Sequence, residues 1–204
     1  MPYPGGITSP GADNQNNEFF HVFRIDMKTN PTTSDHPEVL FVITRRFKAP
    51  LDRVYRSWTE LETLKRWWGP KGFKLKSCSL DLRRGGTLLY CLQDPDGNEM
   101  WGKWVITQIL PHRRLEFIVA FCDETGGEPV RHPYEPTWPL EVSTEVIFVP
   151  DGDGARIEVR WLPLNATPTE EKAFIAGHDA CRVGWTGTLD KLENHLAAER
   201  KVDL

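Results

Sequence analysis

The sequence predicts an α+β fold in which a long C-terminal helix lies on one antiparallel sheet and two short helices follow the first strand. Three observations carry this reading. Apolar and polar residues alternate in strand-length runs separated by strong turn signals. An apolar stripe at helical spacing occupies residues 51–58. A capping sequence at Thr167 opens a helical pattern that runs to the C-terminus. With 204 residues, the chain can build one substantial core and is short for two.

The hydrophobic fraction of 39% and the charged fraction of 26% are ordinary for a globular protein, whereas eight tryptophans are many. A formal charge of −4 without a basic run gives no electrostatic reason to approach nucleic acid or anionic lipid. Cys78, Cys91, Cys122 and Cys181 are far apart, with no CxxC pair and no histidines at zinc-ligand spacing around them. They read as the thiols of a reduced, cytoplasmic, metal-free protein, and no cofactor is expected. No apolar run approaches the roughly 20 residues of a membrane span, and MPYPGGITSPG has neither the basic nor the apolar region of an export signal.

Residues 1–37 read as a tail, and residues 38–199 as the folded domain. The first 17 residues are rich in Gly, Pro, Asn and Ser and are expected to be disordered or loosely draped. EFFHVFRIDMK alternates well enough to predict an extra strand over 18–28, which Pro31 and Pro37 then interrupt. VLFVITRRF, from Val39, is a β-branched and aromatic strand ended by Ala49-Pro50. Leu51, Val54, Tyr55 and Trp58 form one helical stripe. Thr59-Glu-Leu-Glu62 has the form of a capping box, so a second helix is expected there with Leu61, Leu64 and Trp68 on its buried face.

After Gly69-Pro70 the turn signals Gly85-Gly86, Asp94-Pro-Asp-Gly97, Pro111-His112 and Asp151-Gly-Asp-Gly154 separate further strands. Leu88, Tyr90 and Leu92 alternate in one; Leu115, Phe117, Val119 and Phe121 in another. Val142, Thr144, Val146 and Phe148 follow, then Ile157, Val159 and Trp161, which gives the one-sided pattern of an antiparallel sheet. Both faces of the strand holding Trp101 and Trp104 are apolar. Thr167-Pro168-Thr169-Glu170 is a capping box with Pro at the first helical position. Phe174, Cys181, Trp185, Leu189, Leu192 and Leu196 then mark one long helix. Gly177, Gly184 and Gly187 inside it cost ~1 kcal/mol each against alanine, so packing or a need for empty space must compensate.

The run FKAPLDRVYRSWTELETLKRWWGPKGF, followed by LDLRRGG, DPDGNE, PHRRLEF and the late GW…LDKLENHL, resembles the START-like (SRPBCC, Bet v 1-like) superfamily. Within it the sequence is similar to bacterial homologues of the activator of heat-shock protein 90 ATPase, over residues 39–198. The resemblance implies a helix-grip fold: a curved sheet wraps the long helix and leaves a cavity that the two short helices help to close. Successive helical residues point ~100° apart, so Trp67 and Trp68 cannot share one face. Trp68 is expected to continue the stripe of Leu61 and Leu64 into the core and Trp67 to turn to the flank. Gly-Pro then ends the helix, and the pair would anchor a wall or gate; the alternative is two core plugs.

No GxSxG elbow, HExxH, phosphate-binding glycine loop or dinucleotide fingerprint is present, so no catalytic residue is assigned. Glu116, Glu158 and Glu193 read as solvated surface. The candidate cavity residues are Trp67, Trp68, Tyr90, Trp104, Phe117, Trp138, Trp161, His178, Cys181 and Trp185. The aromatics would give the cavity shape and an apolar lining, and each is also an acceptable packing residue. His178, one turn before Cys181, is either a polar anchor or acid–base group, or else a structural histidine bonded to backbone or solvent. Cys181 and Cys91 read as small apolar fillers, and His21, His36 and His132 fall in the tail or in loops. Residues 122–141, with Pro129, Pro133, Pro136 and Pro139, form either a lid over the cavity or a rigid loop pinned by Trp138.

The first functional expectation is a protein that binds a small hydrophobic or amphipathic molecule. The second, implied by the resemblance, is an activator of a heat-shock chaperone ATPase. In the eukaryotic activators a separate N-terminal domain makes much of the chaperone contact, and residues 1–38 are too short to be one. The third is an enzyme akin to the superfamily's polyketide cyclases and aromatases, with His178 and Tyr90 handling protons. The chain is expected to be a monomer, or a homodimer formed by adding the N-terminal strand to a partner's sheet edge.

Overall fold

The computed structural model describes residues 38–202, so the strand expected over 18–28 lies outside the described residues. Strand β1 (Phe41–Phe47) is followed by helices α1 (Leu51–Thr59) and α2 (Leu61–Trp67). Strands β2 (Lys74–Leu80), β3 (Thr87–Gln93), β4 (Glu99–Leu110), β5 (Arg114–Cys122), β6 (Glu141–Asp151) and β7 (Gly154–Pro163) come next. Helices α3 (Pro168–Ala176) and α4 (His178–Val202) close the described chain. The strands form one antiparallel sheet in the order β1-β7-β6-β5-β4-β3-β2, curled into a half-barrel around α4. This is the helix-grip fold.

The alternation read from the sequence sets which face each strand buries. Leu88, Trp104, Ile106, Leu115, Phe117, Val142, Val146, Phe148, Ile157 and Val159 all lie on the inner face and are buried. α1 buries the expected Val54, Tyr55 and Trp58 against that face. α4 buries Trp185, Leu189, Leu192 and Leu196. The surplus of tryptophan has a structural use here. Trp58 lies 4.9 Å from Trp67, 6.2 Å from Trp104 and 6.1 Å from Trp185, and Trp68 lies 4.7 Å from Trp104. One aromatic cluster therefore joins α1, α2, the sheet and α4.

Three local expectations are corrected. Thr59 caps nothing: its hydroxyl donates to the Tyr55 carbonyl inside α1, and Glu60 is the N-cap of α2 without a side-chain bond. The box pattern is present, but the turn between the helices is too short to free Thr59 from α1. The placement of Trp67 also differs from the expected flank. Trp67 is fully buried and donates its indole N–H to the Ser57 carbonyl at 2.9 Å. Trp68 stands beyond the last helical residue with an extended backbone, φ −59° and ψ 139°. Trp68 is nevertheless buried as expected, so the correction falls on Trp67, and both indoles are core residues.

The third correction concerns the C-terminal helix, which is divided at Gly177 into α3 and α4. The Thr167 capping box is formed, with Pro168 at the start and the Glu170 carboxylate bonded back to the Thr167 N–H at 2.8 Å. At Gly177 the amide turns to the Ala173 and Phe174 carbonyls at 2.9 and 3.1 Å. This is the point where the indole of Trp138 presses on the helix backbone.

Candidate ligand cavity

Between the inner face of the sheet, α4 and the β5–β6 loop lies a cavity of about 730 Å3. Its wall includes Trp68, Gly69 and Pro70 from the end of α2, and Tyr90, Met100 and Gly102 from β3 and β4. Val119 and Phe121 on β5 and Trp161 on β7 continue it, and Gly177, Cys181, Gly184, Trp185 and Thr188 supply the helical side. The loop adds His132, Glu135, Thr137, Trp138, Pro139 and Leu140.

Of the residues expected here, Trp68, Tyr90, Trp138, Trp161, Cys181 and Trp185 stand in the wall. Trp67, Trp104, Phe117 and His178 do not. Trp104 and Phe117 stack on each other at 4.0 Å and 17°, and both are buried in the core below α1 and α2. They share the inner face with Tyr90 but sit farther along the strands, where Trp58 fills the space. His178 turns to β1: its ring lies 5.5 Å from Phe41 and 5.1 Å from Phe174, and its Nε2 is buried without a partner. Burial lowers its pKa. It behaves as the structural histidine of the two alternatives. An acid–base pair with Tyr90 is thereby lost, because the two side chains serve different parts of the fold.

The glycines explain how the space is kept. A Cβ at Gly184 would meet nothing within 4 Å, so the helix surface is bare toward the cavity. Gly102 pairs with Tyr90 across β3 and β4, and a Cβ there would stand 2.5 Å from the Tyr90 hydroxyl. The phenol can lie across the sheet only because Gly102 has no side chain. An isolated Gly in a strand signals such a close approach, and Gly102 was legible on that ground alone.

The 123–140 loop is both wall and pinned segment. Arg131 pairs with Glu170 of the α3 cap and donates to the Trp138 carbonyl at 3.3 Å. The Thr167 backbone N–H, then Arg131 and the Thr167 hydroxyl, hold the Glu170 carboxyl at a pKa of about 2. Tyr134 donates to Asp94 in the β3–β4 turn at 3.3 Å. Trp138 packs 5.1 Å from Phe174.

His132, which sequence position alone made a loop residue, enters the wall through this arrangement. Its Nδ1 accepts the Tyr134 and Glu135 amides at 3.1 and 3.0 Å, and its ring lies 4.6 Å from Phe121. Burial lowers its pKa, and Glu135 opposes that shift.

The wall is therefore apolar and aromatic with few polar atoms. The indole nitrogens of Trp68, Trp161 and Trp185 are buried without partners, so these rings present carbon to the space. Cys181 is inert as a nucleophile, its thiol pushed up to about 11 by burial. Among the described residues no group of His, Cys, Asp and Glu could hold a metal ion, and no helix is long and apolar enough to cross a membrane.

Fold and cavity together define a helix-grip protein of the START-like class. The family model described as "Activator of Hsp90 ATPase homolog 1-like protein" matches residues 48–197, and the chain belongs to that family. Solved structures agree on the fold. A protein from Nitrosomonas europaea is 25% identical, with 80% of this chain and 97% of that one covered and a TM-score of 0.64. One from Mycobacterium smegmatis is 23% identical, with 81% and 95% covered and a TM-score of 0.66. One from Arthrobacter aurescens is 24% identical, with 80% and 89% covered and a TM-score of 0.65. A comparison with curated proteins found no match.

Proposed function

We propose that this chain binds a small, largely apolar molecule in the cavity between the sheet, α4 and the 123–140 loop. The observation that carries this reading is the apolar volume of about 730 Å3, open on one side, that Trp68, Trp161 and Trp185 border. Protein interiors are packed to nearly crystalline density, so space of this size persists only where the structure holds it open. Gly184 supports the same view, since a glycine inside a helix is unfavourable by ~1 kcal/mol and here leaves open space. The volume falls within the range of about 300–1,000 Å3 typical of small-molecule sites.

The test is native mass spectrometry of the protein purified from its own host, followed by denaturation to identify what is released. A discrete adduct lost on Trp161→Ala supports the reading. A bare mass, together with no uptake of an apolar fluorophore at micromolar concentration, would count against it.

The family description favours a second reading, in which the chain stimulates the ATPase of a heat-shock protein 90. Adding the purified chain to that chaperone from the same host tests it directly. Stimulation of ATP hydrolysis supports the reading, and an unchanged rate at excess chain removes it.

A further inference from the structure

We infer that the molecule taken up by this cavity is uncharged and carries a hydrogen-bond acceptor of the carbonyl type, read by Tyr90 and His132. The inference rests on the binding reading above and gives the ligand a chemistry.

Tyr90 is the starting point. Its side chain lies in the cavity wall, 5.5 Å from the ring of Trp68, and its hydroxyl has no hydrogen-bond partner among the described residues. Burial raises its pKa, so the group stays a protonated donor. A phenol facing an apolar cavity offers a bound molecule a hydrogen bond, worth about 0.5–1.5 kcal/mol net. The fold gives up a strand side chain at Gly102 to hold that hydroxyl over the inner face of the sheet.

His132 supplies a second donor by an independent route. Both loop amides, of Tyr134 and Glu135, point at Nδ1, which must therefore be the unprotonated nitrogen of a neutral imidazole. The proton sits on Nε2. The two donors belong to one cross-strand row: Tyr90 pairs with Gly102, Gly102 pairs with Phe121, and the Phe121 ring carries His132 at 4.6 Å.

Charge narrows the class further. The wall contains no lysine or arginine, and its one ionised side chain is the Glu135 carboxylate, whose pKa is lowered chiefly by the Thr137 hydroxyl. An anion such as a fatty acid would meet no countercharge and one like charge. A neutral ketone, lactone or quinone of aromatic dimensions meets a largely carbon surface, with the donors of Tyr90 and His132 in the same wall.

The experiment uses three probes with one skeleton: fluorene, 9-fluorenone and fluorene-9-carboxylate. Each is titrated into the full chain by displacement of a bound apolar fluorophore, in wild type, Tyr90→Phe and His132→Asn. Asparagine keeps an acceptor near the place of Nδ1 and removes the Nε2 donor. Fluorenone is expected to bind best and the carboxylate worst. Tyr90→Phe is expected to weaken fluorenone about three- to tenfold, the value of one hydrogen bond, and to leave fluorene unchanged. His132→Asn should act in the same direction.

Equal effects of Tyr90→Phe on fluorene and fluorenone, or a carboxylate that binds as tightly as the ketone, would overturn the inference while leaving apolar binding intact. Failure of fluorene and fluorenone alike to bind wild-type protein would instead overturn the binding reading, and this one with it.

Discussion

The indole of Trp138 lies against the bare Cα of Gly177, so that a Cβ at that position would stand 2.7 Å from the ring atom Cζ3. Gly177 has φ −81° and ψ −4°, a conformation open to any residue, so alanine there meets no backbone strain. The effect of Gly177→Ala should therefore come through Trp138. The substitution is expected to lift the ring from α3–α4, speed proteolysis within residues 123–140 and weaken binding of an apolar fluorophore. It should add little to the effect of Trp138→Ala, since both act on one contact. A loop that stays as resistant as wild type would show that the ring does not need the bare backbone.

Gly184 gives the opposite outcome, because nothing stands near it. Gly184→Leu places a good helix former in a helix interior, a gain of up to ~1 kcal/mol, and sends the side chain into open cavity. The expected result is a melting temperature equal to or above wild type, with affinity for an apolar fluorophore reduced at least tenfold. A fall in stability together with unchanged binding would place Gly184 against packed protein instead.

Much of this architecture was legible from local patterns. Ile157, Val159 and Trp161 alternate with Arg156, Glu158 and Arg160 because that strand is covered on one side, and the alternation survives in the folded sheet. Thr167 and Glu170 form their box because both partners lie within four residues. The cavity was harder to read. Tyr90 and Trp104 share a face of the sheet, and their different fates depend on what α1 lays over one of them. Trp68 is buried as expected, whereas Trp67 was misplaced on the flank because the helix ends between the two, a boundary that periodicity does not fix to one residue. His132 gains its place only when Arg131 and Trp138 fold the loop inward, contacts that no local pattern encodes.

The core position of Trp67 can be measured against the cavity position of Trp161. Trp67→Ala removes a fully buried indole and its bond to Ser57, and should destabilise the fold by about 3–5 kcal/mol in urea titration. Trp161 is half-buried and borders space that already exists. Trp161→Ala should lose clearly less stability while reducing uptake of an apolar fluorophore. Equal stability losses for the two would place Trp161 in the core with Trp67.

The loop should open as the solution is acidified. His132 accepts two amide protons at Nδ1, so adding a proton there breaks both bonds to Tyr134 and Glu135. Its pKa in the closed loop is lowered, first by burial and against the pull of Glu135, the charged group beside it; the rings of Phe121, Tyr134 and Trp138 around it are uncharged. A histidine whose folded pKa lies below the free value of about 6.5 binds its proton more weakly closed than open. Closure is thus fully stable above that value. It weakens as pH falls from about 6.5 toward the depressed folded pKa, and changes no further below it. His178 shifts in the same direction but acts between α4 and β1, so the readout must be local. Hydrogen exchange over residues 132–138, corrected for intrinsic rate, should lose protection between pH 7.5 and 5. In His132→Asn the same amides should show no such slope, and a slope retained there would assign the effect to another group.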